Sequence, residues 1–521
     1  MTGLGLGRSS AEEAPISGAT DARLSQGYWL TRFLFLRLLG LVYFVAFLCL
    51  TQQFRPLIGR SGLLPAQAFL DRIALAYGHG LSTALRLPTL FWLNSSDAAL
   101  GAGCWLGLLL SLGVVLGLAN VPVLATLWLL YMSFVHVGQV FYGYGWETLL
   151  LETGFLAIFL APPWRPGPFP ERSPPPRVVI WLLRWLAFRL MFGAGLIKLR
   201  GDSCWRDLSC LVYHYETQPL PNPLSFYLHQ LPRWFHQGEV LFNHVVEVIV
   251  PWMVFGPRRL RTLAGVLLVL FQGLLILSGN LSFLNWLTLA VCLACFDDGG
   301  LARILPHSLT AHVVGLPTEE TGARRAVVYT LAAVVAVLSV NPVANMLSRG
   351  QLMNASFDPF DLVNTYGAFG GVLRERHEIV LQGTDDERPD DRARWLDYEF
   401  KCKPGDVERR PCVVSPYHYR LDWQIWFAAM SDASEQPWLI RLVAKLLEGD
   451  AGTLDLLAEG PFRERPPRYI RARLYRYEFT RVGEPGRAWW RRTLIGEYLP
   501  PLSREDPRLR EFLALLPGPE P

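Results

Sequence analysis

Long apolar runs separated by short polar turns fill the first two-thirds of the chain. A bilayer span needs about 20 predominantly apolar residues, and nine segments approach that length: 29–50, 98–118, 121–141, 144–162, 178–198, 239–256, 262–279, 281–297 and 326–343. Ala119-Asn120 and Gly279-Asn280 supply tight turn points between neighbours. After residue 344 the pattern changes to short, aromatic, β-prone runs at 372–382, 395–401, 468–480 and 488–499, with partial alternation in the last two. Helical patterns at 437–448 and 450–459 interrupt them. The pattern predicts a membrane α-helical bundle of about nine transmembrane helices plus a C-terminal β-rich, sandwich-like soluble domain with a helical insertion. The expected division is a disordered tail at 1–27, a polytopic membrane domain at 28–343 carrying an extracytoplasmic loop at 199–238, and an extracytoplasmic domain at 344–521.

Charge sharpens that division. Only 18% of the chain is charged, where soluble proteins average about a quarter. The first 343 residues hold 40 charged side chains and the last 178 hold 54, so the deficit belongs to the apolar part. After residue 343 there are 26 basic and 28 acidic residues, a balance that gives no support for a nucleic-acid partner. Short loops rich in Lys/Arg mark the cytoplasmic side of a membrane protein. Loop 256–261 has three arginines and no acid, and loop 163–177 has three arginines and one glutamate. With nine spans both fall on the side of the N-terminus, with Arg23, Arg32 and Arg37; loop 51–97, with four arginines, is an exception on the other side. The apolar run from Trp29 reads as a retained signal anchor. Cys49, Cys104, Cys292 and Cys295 lie in apolar runs, whereas Cys204/Cys210 and Cys402/Cys412 form two close pairs in polar segments. Both pairs fall on the non-cytoplasmic side, where disulfides persist. Four free thiols or a metal site are the competing readings, but neither pair has the spacing or His partners of a zinc site.

Ionisable groups in apolar spans are costly and are functional candidates by default. His136 and Gln139 share a helical face; Glu147 and Glu152 lie in the fourth run, Arg184, Arg189 and Lys198 in the fifth, and Asn243, His244 and Glu247 in the sixth. They either neutralise one another between helices, or line a polar cavity for a substrate or lipid headgroup, or snorkel to the span ends. The second reading describes an integral-membrane enzyme that modifies secreted polypeptides or lipids through His136, Glu147, Lys198, His244 and Glu247. No nucleophile elbow, P-loop, dinucleotide fingerprint or H-E-x-x-H motif is present, and nothing in the sequence calls for a cofactor or metal. Loop 199–238, with three histidines and four prolines among many aromatics, either lies on the membrane surface as an aromatic belt or presents a protein- or lipid-binding surface.

Several long stretches carry a family resemblance. GAGLIKLRGDSCWRDLSCLVYHYETQPLPNPLSFYLHQLPRWFH, FNHVVEVIVPW, SGNLSFLNWLTLAVCLACFDD, NTYGAFGGVLRERHEIVLQGT, YEFKCKPGD and SPYHYRLDWQIWFAAM are very similar to the lipase maturation factors, and the resemblance extends from about Tyr28 to Pro501. It implies a multi-pass endoplasmic-reticulum membrane protein with a cytoplasmic N-terminus and a lumenal C-terminal domain. Such a protein acts as a chaperone-like factor in the folding and assembly of secreted homodimeric lipases, its clients, alongside membrane lipid. A bacterial source would instead imply an inner membrane and a periplasmic domain. The resemblance brings no catalytic residue and no cofactor. On it, client contact is expected at Trp205, His214, Tyr215, Glu216, Asn364 and Tyr366.

Overall fold

The computed structural model describes residues 27–515 apart from 321 and 459, so the expected disordered tail lies, but for its last residue, outside the described residues. Helices occupy the positions of all nine apolar runs: α1 (Trp29–Ile58), α2 (Asp97–Val115), α3 (Val121–Val137), α4 (Gly145–Leu160), α5 (Arg177–Arg200), α6 (Arg233–His244), α7 (Arg258–Ser278), α8 (Leu284–Cys292) and α9 (Gly322–Leu338). Among the described residues, five helices are long and apolar enough to cross a membrane: α1, α2, α5, α7 and Gly322–Leu347, which extends α9. The other four depart for visible reasons. Helices α3 and α8 are apolar but short, α4 has 16 residues and contains two glutamates, and α6 is amphipathic and leads into a π-helical turn at Val245–Ile249. Pro251 follows that turn and has no N–H to return to the Glu247 carbonyl, which relaxes the regular helical ladder there.

The bundle has two chemically distinct ends. At one, loop and helix termini are tied by charged groups: Asp298 accepts the Trp29 and Leu30 N–H groups (3.1 and 2.7 Å), and Asp297 receives Arg258 and Arg261 (2.8 and 3.0 Å). The other end carries the C-terminal domain.

That domain is not a sandwich. After a small antiparallel pair, β1 (Ala355–Ser356) with β2 (Asn364–Thr365), it forms one four-stranded antiparallel sheet from β3 (Arg376–Thr384), β4 (Leu396–Asp397), β5 (Tyr469–Phe479) and β6 (Trp490–Ser503), in the order β4-β3-β5-β6. Helices replace the expected second sheet. Ile379 and Leu381 pack with Leu421, Ile425, Trp438 and Leu439 of α10 (Arg420–Ala428) and α11 (Pro437–Glu448). On the opposite face Val380, Tyr477, Phe479 and Trp490 cover Phe226, from the loop expected at 199–238. Alternate residues of β3 therefore bury in two different cores. Helix α11 coincides with the expected 437–448 segment, whereas the second helix of the insertion shortens to Ala451–Leu454, and α10 was not expected from the sequence. The core of α10, α11 and the sheet is continuous with that of α1, α3, α4 and α5.

Candidate functional site

Glu147, Glu152, Arg189, Lys198 and Glu247 meet their partners near the junction between bundle and C-terminal domain, whereas Arg184 bonds the Ala294 carbonyl and the Tyr28 hydroxyl (both 2.8 Å) towards the other end. Glu147, at the start of α4, is fully buried; its carboxylate accepts Arg420 Nη1 at 2.7 Å, Trp146 Nε1 at 3.1 Å and the Tyr131 hydroxyl. Arg420 also donates to the Phe141 carbonyl (2.6 Å) and lies 3.6 Å from the centre of the Tyr142 ring. One turn further along α4, Glu152 pairs with Arg189 of α5 and accepts the Asn364 N–H (2.9 Å) and the Tyr366 hydroxyl (2.8 Å). Arg189 in turn donates to the Asn364 carbonyl at 2.5 Å. Helix α5 admits this segment closely because Gly193 has no side chain: a Cβ there would lie 2.6 Å from the Tyr366 carbonyl oxygen. Gly195 does the same for the π turn, where a Cβ would lie 3.0 Å from the Glu247 backbone. There Lys198 pairs with Glu247 (2.5 Å), and Asn243 bonds both (3.2 and 3.0 Å).

A cavity of about 370 Å³ opens along this junction. Its floor is apolar, from Leu190, Ala194, Leu281 and Leu284 of the bundle, and an aromatic wall comes from Tyr144, Trp146, Trp423, Trp426 and Phe427. Tyr144 and Trp146 stack at 4.4 Å, Trp423 meets Trp146 edge-on at 4.8 Å, and buried His418 packs on both (5.1 Å to Trp146). Met353, Asn354 and the glycine-rich run 366–371 form the remaining side. Trp423 Nε1 is buried with no hydrogen-bond partner among the described residues. At the rim Met353 and Phe427 are exposed. Pockets of this kind, apolar and aromatic with few polar groups, suit apolar ligands of modest size.

Loop 199–238 folds as short helices against both halves. The structure joins Cys204 to Cys210 and Cys402 to Cys412 as disulfides, with Cα separations of 4.8 and 5.4 Å. Arg376 of β3, fully buried, ties the loop to the sheet by donating to the Glu216 and Pro219 carbonyls (3.0 and 2.8 Å) while paired with Glu378 (2.6 Å). The Glu216 carboxyl accepts the Phe479 N–H at 2.5 Å; burial pushes it up to about 7, against the opposing pull of that bond and of Arg376. Its neighbour His229 is 3.8 Å away, and burial holds that imidazole down at about 4.

Of the six residues expected at client contacts, Trp205, Tyr215, Asn364 and Tyr366 are buried, and His214 and Glu216 are half-buried. Each is occupied internally: Trp205 donates to the Phe369 carbonyl (2.8 Å), Tyr215 to Glu239 (2.7 Å), and His214 packs on Phe369 (4.8 Å). Tyr366 alone of the six lines the cavity. Nor do His136, Glu147, Lys198, His244 and Glu247 converge. His136 sits between the Pro88 carbonyl (2.8 Å) and Asp361 (3.3 Å), and His244 bonds the Trp205 carbonyl (3.0 Å), while the others occupy the separate pairs above. Among the described residues no group of three or more His, Cys, Asp or Glu is placed to hold a metal ion. Sequence reading missed Arg420 and the aromatic wall, although SPYHYRLDWQIWFAAM carries four of those residues. Its three-to-four spacing of Trp423, Trp426 and Phe427 was the available signal for an amphipathic helix.

Residues 30–303 match the family model described as the lipase maturation factor transmembrane domain, and residues 362–500 match its C-terminal domain. Curated relatives named lipase maturation factor 1 are 49% identical in Bos taurus, over 99% of this chain and 98% of the relative, and 48% identical in Homo sapiens, over 96% and 93%. A protein named lipase maturation factor 2, from Xenopus laevis, is 32% identical over 93% of this chain and 84% of its own length. No solved structure matches the chain.

Proposed function

The chain belongs to the lipase maturation factor family, and from that premise we propose that it is a membrane-bound, chaperone-like factor for the folding and assembly of secreted homodimeric lipases. The observation that carries the reading is near-full-length identity of about half to proteins named for lipase maturation. The junction cavity gives it a physical site. A client awaiting assembly exposes apolar surface that its dimer later buries. An aromatic wall with an exposed Phe427 and Met353 at its rim can hold such surface reversibly. Client contact is therefore proposed at the cavity rim, on Met353, Trp426 and Phe427.

The same proposal places the protein in the endoplasmic-reticulum membrane. Residues 28–343 form its membrane domain, crossed nine times with the shorter helices shielded inside the bundle, and residues 344–521 lie in the lumen. Arginine-rich segments 163–177 and 256–261 at the end away from the C-terminal domain support that orientation. The placement of both disulfides at the other end agrees with an oxidising compartment.

The test is cellular. Cells lacking the protein and secreting a dimeric lipase are rescued with the natural chain or with Trp426→Ala/Phe427→Ala, and lipase specific activity and oligomeric state are measured at matched expression. Rescue by the natural chain with loss in the double variant is expected. Equal lipase activity with and without the protein would sink the proposal, and full rescue by the variant would remove the cavity from it.

A further inference from the structure

At the end of the bundle opposite the C-terminal domain, we propose a binding site for one anionic phospholipid. A cavity of about 610 Å³ lies between the proline-rich segment 163–173, the ends of α3 and α4, and the start of α9. Its inner walls are Val121, Ile158, Phe159, Val327 and Val328, all from helices of the bundle. Its outer rim holds three guanidinium groups, Arg165, Arg172 and Arg324.

The rim is built in place. Asn120 donates to the Trp164 carbonyl (2.9 Å), and the Val121 N–H donates to the Pro162 carbonyl (3.0 Å), fixing the proline-rich segment over the helix ends. Arg324 closes the far side by donating to the Ser173 hydroxyl and to the Ala161 carbonyl (2.9 Å) at the end of α4. Arg32, buried next to the same segment, donates to the Ser173 carbonyl (2.6 Å), and its Nη2 has no partner among the described residues. Positive charge thus exceeds negative at the rim: three arginines and, among the described residues, no Asp or Glu line the cavity. Glu320 accepts the Arg177 N–H (3.2 Å), and exposed Glu171 stands in the chain between Pro170 and Arg172. Trp164 stands exposed at the mouth, the position of an interfacial anchor.

A phospholipid satisfies both parts of this surface at once. Its phosphodiester oxygens accept charge-assisted bonds from Arg165 and Arg172 above Arg324. Its acyl chain runs down the Ile158, Phe159 and Val327 wall, which a free phosphate would leave wet. A zwitterionic lipid brings its own cation toward the arginines, so the geometry favours a net negative headgroup such as phosphatidylserine. An arginine near anionic lipid contributes about fivefold in binding, so two contribute roughly 25-fold.

Native mass spectrometry of the full chain in neutral detergent tests this with phosphatidylserine and phosphatidylcholine of identical acyl chains. One phosphatidylserine is expected to persist at collision energies that strip phosphatidylcholine, and an excess of inorganic phosphate is expected not to displace it. Arg165→Gln/Arg172→Gln should lower phosphatidylserine binding roughly 25-fold, while Arg487→Gln/Arg504→Gln in the C-terminal domain should leave it unchanged. Equal retention of the two lipids by the unaltered chain would overturn the proposal, with no dependence on how any variant folds. So would displacement by inorganic phosphate, or an equal loss in both double variants.

Discussion

Glu147→Gln leaves Arg420 as a buried guanidinium without its counter-charge. Both side chains of this pair are fully buried and 2.7 Å apart, and Arg420 already has Nε and Nη2 unpartnered among the described residues. Removing one member of such a pair costs about 3–5 kcal/mol, mostly because the remaining charge stays out of water. The strain can be relieved by withdrawing α10 from α4, which opens the junction. Cys49 reports that opening. It is fully buried on α1 beside Arg420 and His418 of the C-terminal domain, so lifting that domain uncovers it. When closing outpaces alkylation, the labelling rate follows the open population, so Glu147→Gln should raise Cys49 alkylation roughly 150- to 5,000-fold, read by peptide mass spectrometry. Arg420→Met should do the same. The double variant contains no uncompensated charge, so the two effects should fall short of additivity by about 2 kcal/mol or more. Single variants labelled within threefold of the natural chain, or effects that simply add, would refute the clamp.

Gly193→Val should destabilise the junction by about 1–3 kcal/mol through collision with the Tyr366 carbonyl. Hydrogen exchange at 364–371 checks it, with Gly273→Ala, which faces open space, as the neutral comparison. The raised carboxyl of Glu216 means that between pH 4.5 and about 7 the folded chain keeps a proton that the unfolded chain has released. Its stabilising contribution is complete below that window and is lost as pH rises through about 7. Glu216→Gln should therefore flatten the decline in melting temperature from pH 5 to 8. His229, held down to about 4, contributes in the opposite sense, above the ordinary imidazole value, and loses that contribution as pH falls through about 4. Removing the Cys402–Cys412 bridge by Cys402→Ser/Cys412→Ser opens a loop with a sequence separation of 10. A loss of about 2–3 kcal/mol is expected from the unfolded-state entropy, seen as faster proteolysis within 395–430.

The length and apolarity of the runs by themselves located a helix at each of nine positions, because a helix that buries its surface in lipid or in its neighbours must be apolar along its length. The change of period after residue 344 located all four strands of the main sheet, β3 to β6, and α11 carries a pattern strong enough to be read locally. Cysteine placement in polar segments marked both pairs as disulfide candidates beside the free-thiol and metal readings, and the structure joins them. Tertiary structure alone decided where charges go. Neutralisation between acids of the fourth run and bases of the fifth was one of three readings open in the sequence, and the structure realises it for Glu152 and Arg189. The partner of Glu147 stands 273 residues away on a helix that no local signal marked strongly, and that of His136 stands 225 residues away. Sequence also favoured a second sheet, because alternation shows that a strand has a face to bury but not what covers it. Here the covers are α10 and α11 on one side and Phe226 on the other. Buried aromatic and polar residues of loop 199–238 looked like a binding surface for the same reason. Composition states that such side chains need partners, and only the fold supplies partners from within the chain.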